Sequence, residues 1–220
     1  MCKKPQSRPA AKATVKMKNQ RGFTLAELLI VIIVAGVLAA IAAPNLSEFV
    51  KNNARATRVN TMVTALNYAR GQAVTRNARV SLCRSSTGSA FATCDAAGDF
   101  ATGWIVFTDS NPRGAVNGTD TVLRIFQPDM GANATLNGVK NVAPIAIAGL
   151  SYENTGLGLD LAAAATDTVV SPNTVFRYCD DRGAPRARGI VITATGYPRL
   201  TSDTNDDGTD DIGGVNLVCP

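Results

Sequence analysis

Three groups of side chains and one buried-looking carboxylate have chemistry to offer in this sequence. The first group is Cys83, Cys94, Cys179 and Cys219. Four cysteines can pair in three ways. The pairing Cys83–Cys94 and Cys179–Cys219 is expected, because each bond would join candidate strand ends. Closing such loops contributes about 3 kcal/mol or more each, and it requires an oxidising compartment such as the periplasm. A fifth cysteine, Cys2, lies in the basic N-terminal segment. Zinc is the rival use of these thiols, but it lacks both a C-x-x-C pair and any histidine.

The second group is Asp203, Asn205, Asp207, Thr209 and Asp211. Alternate residues of a calcium loop converge at positions one, three and five, which Asp203, Asn205 and Asp207 match. Gly208 allows the sharp turn, Thr209 offers its carbonyl and Asp211 stands at position nine. Position twelve is Gly214 rather than glutamate. A calcium site here is therefore expected to be weak, about 10⁻⁴–10⁻³ M. The third group is Arg182, Arg186, Arg188 and Arg199, with Tyr197 beside them. Such a cluster can neutralise phosphates, and a tyrosine can stack on a base. Asp180, Asp181, Asp203, Asp206 and Asp207 lie close in sequence, so pairing with these aspartates is expected over DNA binding. The absence of histidine excludes a Ser-His-Asp triad and a Cys-His pair, and removes the usual general base at neutral pH. No nucleophile–base arrangement is left, and the chain reads as a non-enzyme.

The single carboxylate is Glu27. From Phe23 to Ala43 only Thr24 and Glu27 interrupt an apolar run. At about 1.5 Å per residue this run makes a helix roughly 30 Å long, the thickness of a bilayer core. A carboxylate there costs about 3 kcal/mol or more, so Glu27 is expected to have a partner. The flank before the run is basic: residues 1–22 hold seven of the 22 Lys and Arg and no acid. That keeps this end cytoplasmic and exports the rest. It also accounts for the formal charge of +5, since the remainder carries 15 basic against 17 acidic residues. A secretory signal peptide fits poorly, because the apolar run exceeds the roughly 7–15 residues of a signal core and no small-x-small cleavage site precedes a domain start.

The elements that must position these groups follow from periodicity. Leu46, Phe49, Val50, Val59, Met62, Val63, Leu66 and Val74 recur at spacings near three and four, predicting an amphipathic helix over 44–78. Pro44 can kink or loosen it. Lys51, Arg55, Arg58, Arg70, Arg76 and Arg79 decorate the remaining surface and read as a solvated face. Short β-rich segments follow at 80–83, 103–108, 121–126, 145–147, 174–178, 190–193 and 215–218, separated by Gly, Asn, Asp and Pro. Residues 160–170 are Ala-rich and read as a loop or a short helix. A long helix followed by strands predicts an α+β domain.

The segment Arg21-Gly22-Phe23-Thr24-Leu25-Ala26-Glu27-Leu28-Leu29 resembles the processing site of type IV prepilins. The resemblance implies a cut between Gly22 and Phe23 by the prepilin peptidase, N-methylation of Phe23, and retention of the apolar helix. Glu27 becomes the fifth mature residue and the assembly partner of a neighbouring subunit's amine. Pro44 matches a proline many of these helices carry, and Met17 offers an alternative start with a short leader. Val80-Ser81-Leu82-Cys83, Gly103 to Asp109 and Phe176 to Gly183 are similar to the H-type pseudopilin and minor-pilin branch, the GspH/FimT/FimU group. That branch implies a type IV pilin-like fold, with the long N-terminal helix packed on antiparallel β-sheets. The organisation expected is a cleaved leader over 1–22, a membrane and filament-core helix over 23–43, an amphipathic helix over 44–78 and a β-rich domain over 79–220. The implied function is a minor pilin of a type IV pilus, anchored in the inner membrane and then moved into the filament beside other minor and major pilins. The alternatives are an H-type pseudopilin of type II secretion and a DNA-binding tip subunit. DNA-uptake members of the branch carry Gly-Arg-x-Arg in this region; here it reads Gly196-Tyr197-Pro198-Arg199, without the first arginine.

Overall fold

The computed structural model describes residues 22–85, 93–95, 99–110, 114–131, 133–140, 145–161, 168–169 and 174–220. Residues 1–21 of the expected leader, with Cys2 and Met17, lie outside them. The chain divides into two compact units, Met1–Phe49 and Val50–Pro220.

One helix, α1 (Leu25–Arg76), contributes to both units. Its start is fixed locally. Thr24 Oγ1 accepts from the Glu27 backbone N–H at 3.2 Å, while Glu27 Oε2 accepts from the Thr24 backbone N–H at 3.4 Å. This reciprocal capping box satisfies donors that a helix start leaves free. The helix continues through Pro44. Proline cannot donate to the carbonyl four residues back, and next to it the Asn45 side-chain amide donates to the Ile41 carbonyl at 3.3 Å. Every described residue of the first unit is exposed, including Leu28, Ile30, Ile33 and Leu38. A helix apolar all round has no core of its own to face.

Thirteen strands follow among the described residues: β1 (Val80–Arg84), β2 (Trp104–Thr108), β3 (Val122–Phe126), β4 (Thr135–Lys140), β5 (Ile145–Ala146), β6 (Gly149–Tyr152), β7 (Gly158–Leu161), β8 (Thr168–Val169), β9 (Thr174–Cys179), β10 (Arg188–Ile192), β11 (Pro198–Leu200), β12 (Asp211–Ile212) and β13 (Val215–Asn216). They form a sheet of order β3-β2-β1-β6-β7-β8, a second of order β11-β10-β9-β4-β5, and the hairpin β12-β13. Their pairings are antiparallel. The ends of the Ala-rich stretch 160–170 that are described belong to β7 and β8, not to a helix; 162–167 lie outside the described residues.

The core explains why this half of α1 is helical and where it sits. Val59, Met62, Ala65, Leu66, Ala69 and Ala73 are buried at spacings of three and four. They join Leu82, Trp104, Val106, Leu150 and Tyr152 of the first sheet and Leu136, Phe176, Tyr178, Ile190 and Ile192 of the second. One helix face thus closes the gap between two sheets, as the α+β expectation requires. Each fully buried large side chain contributes about 1.5–3 kcal/mol. The predicted apolar stripe needs correction at its ends: Leu46, Phe49, Val50 and Val74 are exposed, and alanines complete the seam instead.

Gly196 closes the turn between β10 and β11 at φ +81°, and its N–H donates to the Thr193 carbonyl at 2.8 Å. A Cβ there would stand 2.4 Å from the Gly156 carbonyl oxygen. Gly196→Ala is therefore expected to cost about 2–4 kcal/mol, combining left-handed strain with a backbone clash. Thermal or urea unfolding checks this; an unchanged midpoint would mean the two turns are not pressed together.

Candidate functional site

The residues singled out by sequence fall in three places. At the helix start, Gly22, Phe23 and Glu27 are exposed. Glu27 is engaged by Thr24 through its backbone and hydroxyl, both at 3.4 Å. Its carboxylate is thereby oriented toward the helix N-terminus, where the positive end of the helix dipole also favours a negative charge. An amine generated at Phe23 would be born beside this group. Among the described residues, α1 is the one helix long and apolar enough to cross a membrane.

The cysteines are oxidised in the expected pairing. Cys83–Cys94 ties the end of β1 to the segment before β2, and Cys179–Cys219 ties the end of β9 to the C-terminus. The second bond holds Leu217 over Val139 and Val175, on the face of the second sheet opposite α1.

The acidic loop is organised around its own amides. Asp203 Oδ2 accepts from the Gly208 N–H at 2.7 Å, and Asp207 Oδ1 from the Thr209 N–H at 2.9 Å. Asp207 Oδ2 takes the side-chain amides of Asn216 at 2.6 Å and Asn205 at 2.9 Å. These bonds, that from Asn216 foremost, hold the Asp207 carboxyl below its ordinary range. Asp211 Oδ2 accepts from both the N–H and the hydroxyl of Thr204, each at 2.7 Å. Among the described residues no three His, Cys, Asp or Glu come together as a metal cluster. In this arrangement the carboxylates of Asp203, Asp207 and Asp211 accept from the loop's own amides and from the Thr204 hydroxyl. Differential scanning fluorimetry tests the calcium expectation: a rise in melting temperature at millimolar calcium is the result it requires, and an unchanged midpoint would end it.

Two of the four arginines, Arg182 and Arg188, are paired with aspartates of the domain. Arg182 pairs with Asp180 at 2.7 Å and also donates to Asn52 Oδ1 at 2.8 Å. Burial pushes the Asp180 carboxyl up, but the hydrogen bonds and charge of Arg182 outweigh it and hold the group low. This pair therefore adds stability above the unfolded pKa of aspartate and loses it as pH falls through the lower folded value. Arg188 pairs with Asp210. The Arg70 guanidinium lies 3.8 Å from the centroid of the Tyr197 ring, so one face of that ring is taken. Arg186 and Arg199 are exposed. A gel shift at low salt is expected to show no tight DNA binding; binding abolished by Arg199→Ala would contradict this.

The basic run of α1 is not a solvated face either. Arg58 donates to the Asp129 carbonyl at 2.9 Å and the Tyr178 hydroxyl at 2.8 Å, and Arg55 to the Arg186 carbonyl at 2.8 Å. Arg79 reaches Ser151 at 3.0 Å and Asp109 at 3.3 Å. Asp109 also accepts from Ser81 and from the Gly114 N–H. Burial nevertheless leaves its carboxyl raised above the ordinary value. This buried polar node, which sequence reading missed, stitches the helix exit to β1, β2 and β6. The only prior signal was the run Phe107-Thr108-Asp109, an acid directly after a buried strand.

A span-length apolar helix entered through a Gly-Phe-…-Glu motif and running on into a disulfide-clasped α+β domain defines the class of membrane-anchored, pilin-like subunits. The chain belongs to the GspH family within that class. The family model for the type II transport protein GspH matches residues 58–196, and the prokaryotic N-terminal methylation motif matches residues 17–43. Two crystal forms of the Pseudomonas aeruginosa PAO1 type IV minor pilin FimU are similar to this chain. The P21 form is 18% identical over 70% of this chain and 92% of that one, with a TM-score of 0.49. The P65 form is 17% identical over 65% and 89%, with a TM-score of 0.43. No curated protein matches the sequence.

Proposed function

We propose that this chain is a minor pilin of a type IV pilus, a low-abundance subunit that helps to start or cap the fibre. The carrying observation is the exposed apolar first unit of α1, headed by Glu27, in a chain of this family. In this reading the prepilin peptidase cuts between Gly22 and Phe23, and Phe23 is then N-methylated. The subunit waits in the inner membrane with its domain in the periplasm and passes into the fibre with other minor and major pilins. The role is structural rather than catalytic, in keeping with a sequence that has no histidine. The family model also names a type II transport protein, which favours one second reading, the H-type pseudopilin of a type II secretion system. A deletion strain separates them. Loss of surface pili and twitching with exoprotein secretion intact is expected. Lost secretion with normal piliation would assign the chain to the secretion system.

A further inference from the structure

Strand β9 presents Phe176 and Tyr178 to α1 and turns Val175, Arg177 and Cys179 to the opposite face. The C-terminal segment covers that face, with Leu217 buried on it and Cys219 bonded to Cys179. Beneath this strap lies a cavity of about 10 Å³ whose lining includes Val139, Val175, Arg177, Ile212, Asn216 and Leu217. Arg177 is 7% exposed. Its Nε–H meets no protein acceptor, and Asn216 Oδ1, also buried, meets no protein donor among the described residues. The Asn216 amide cannot turn to help, because its Nδ2 donates to Asp207 Oδ2 at 2.6 Å.

A buried donor or acceptor left alone costs about 1–3 kcal/mol. Here the two residues that carry these complementary orphans line one space, and that space has the size of a single water, which needs about 10–15 Å³. We infer that one ordered water sits between β9 and the C-terminal strap, accepting from Arg177 Nε–H and donating to Asn216 Oδ1. It completes a polar chain that runs from Asp207 in the acidic loop through Asn216 to Arg177 in the central strand of the second sheet. A small anion is the obvious rival at a guanidinium that has no acidic partner among the described residues. Asn216 Oδ1 decides against it, since an anion would face that acceptor with no proton to offer. The strap is then seated three ways: by the disulfide, by Leu217 and by this water. Loss of the water bridge loosens β12 and β13 without opening the disulfide.

The test is a high-resolution crystal structure of the full chain in detergent, grown in bromide, together with amide exchange on residues 211–217. One water peak within hydrogen-bond distance of both Arg177 Nε and Asn216 Oδ1 is expected. Arg177→Met keeps the bulk and removes the donor; in it the peak should vanish and strap exchange should quicken by roughly tenfold, the worth of about one hydrogen bond. A dry cavity, a direct Arg177–Asn216 bond or an anomalous bromide peak in the wild type would each overturn the inference. So would a water that persists unchanged in Arg177→Met. The wild-type density decides even if that variant folds poorly.

Discussion

Replacing Glu27 with alanine is expected to leave the chain in the inner membrane at normal or higher levels while removing it from sheared filaments. The reason is a change in the balance of costs. A carboxylate in the apolar segment is unfavourable by about 3 kcal/mol or more, so alanine relieves membrane insertion. Assembly is different. On the proposed processing, cleavage after Gly22 would create an ammonium at Phe23, which can offset the Glu27 charge. Within one chain the two are four residues apart around the start of α1; in the proposed staggered bundle the same carboxylate would reach the next chain's amine and set its register. Glu27→Asp keeps the charge with a shorter reach and should be intermediate. Co-purification with sheared filaments, measured beside membrane levels, reads both effects. Normal incorporation of Glu27→Ala would show that this carboxylate does not guide entry. Gly22→Ala should slow cleavage and leave the basic leader attached, which separates a processing defect from an assembly defect by mass.

The second large effect is on stability. Cys179–Cys219 closes a sequence separation of 40 residues, against 11 for Cys83–Cys94. Longer loops lose more unfolded-state entropy when closed. Cys179→Ser with Cys219→Ser is therefore expected to cost about 3–4 kcal/mol, and Cys83→Ser with Cys94→Ser less. The first pair also seats Leu217 over Val139 and Val175, so its loss should expose apolar surface to a hydrophobic dye. Denaturant unfolding of both double variants ranks them. An equal or reversed order would mean that native packing, not loop length, sets the contribution.

The parts legible in sequence were those with strong local signals. The apolar run from Phe23 marked where α1 begins, and cysteines beside β-rich segments marked both clasps. The seam of α1 was harder, since Ala65, Ala69 and Ala73 carry little hydrophobic signal and are buried only because two sheets approach the helix closely. β4 was hidden by Asn137-Gly138, a turn signal by residue type. Tertiary packing overrides it: a Cβ at Gly138 would lie 2.5 Å from Ile147 Cγ1, so glycine is there for close approach inside a strand. The arginines of α1 misled for a related reason. A basic run looks solvated in one dimension, while Arg58 and Arg70 reach carbonyls 71 and 86 residues away, and Arg79, just past the helix, reaches the Ser151 hydroxyl 72 residues away and the Asp109 carboxylate on a nearer segment. The acidic loop's spacing was legible, but the hydrogen bonds its carboxylates accept from its own amides and from Asn216 were not, because those depend on the folded turn and on β13.

Mass spectrometry of the intact chain recovered from sheared filaments tests the central claim most directly. The account predicts that the chain is present there, begins at Phe23 and carries one added methyl group on that residue's amine, with Glu27 at its fifth position. A chain confined to the membrane fraction with its leader still attached, or a mature N-terminus downstream of the apolar helix, would contradict it.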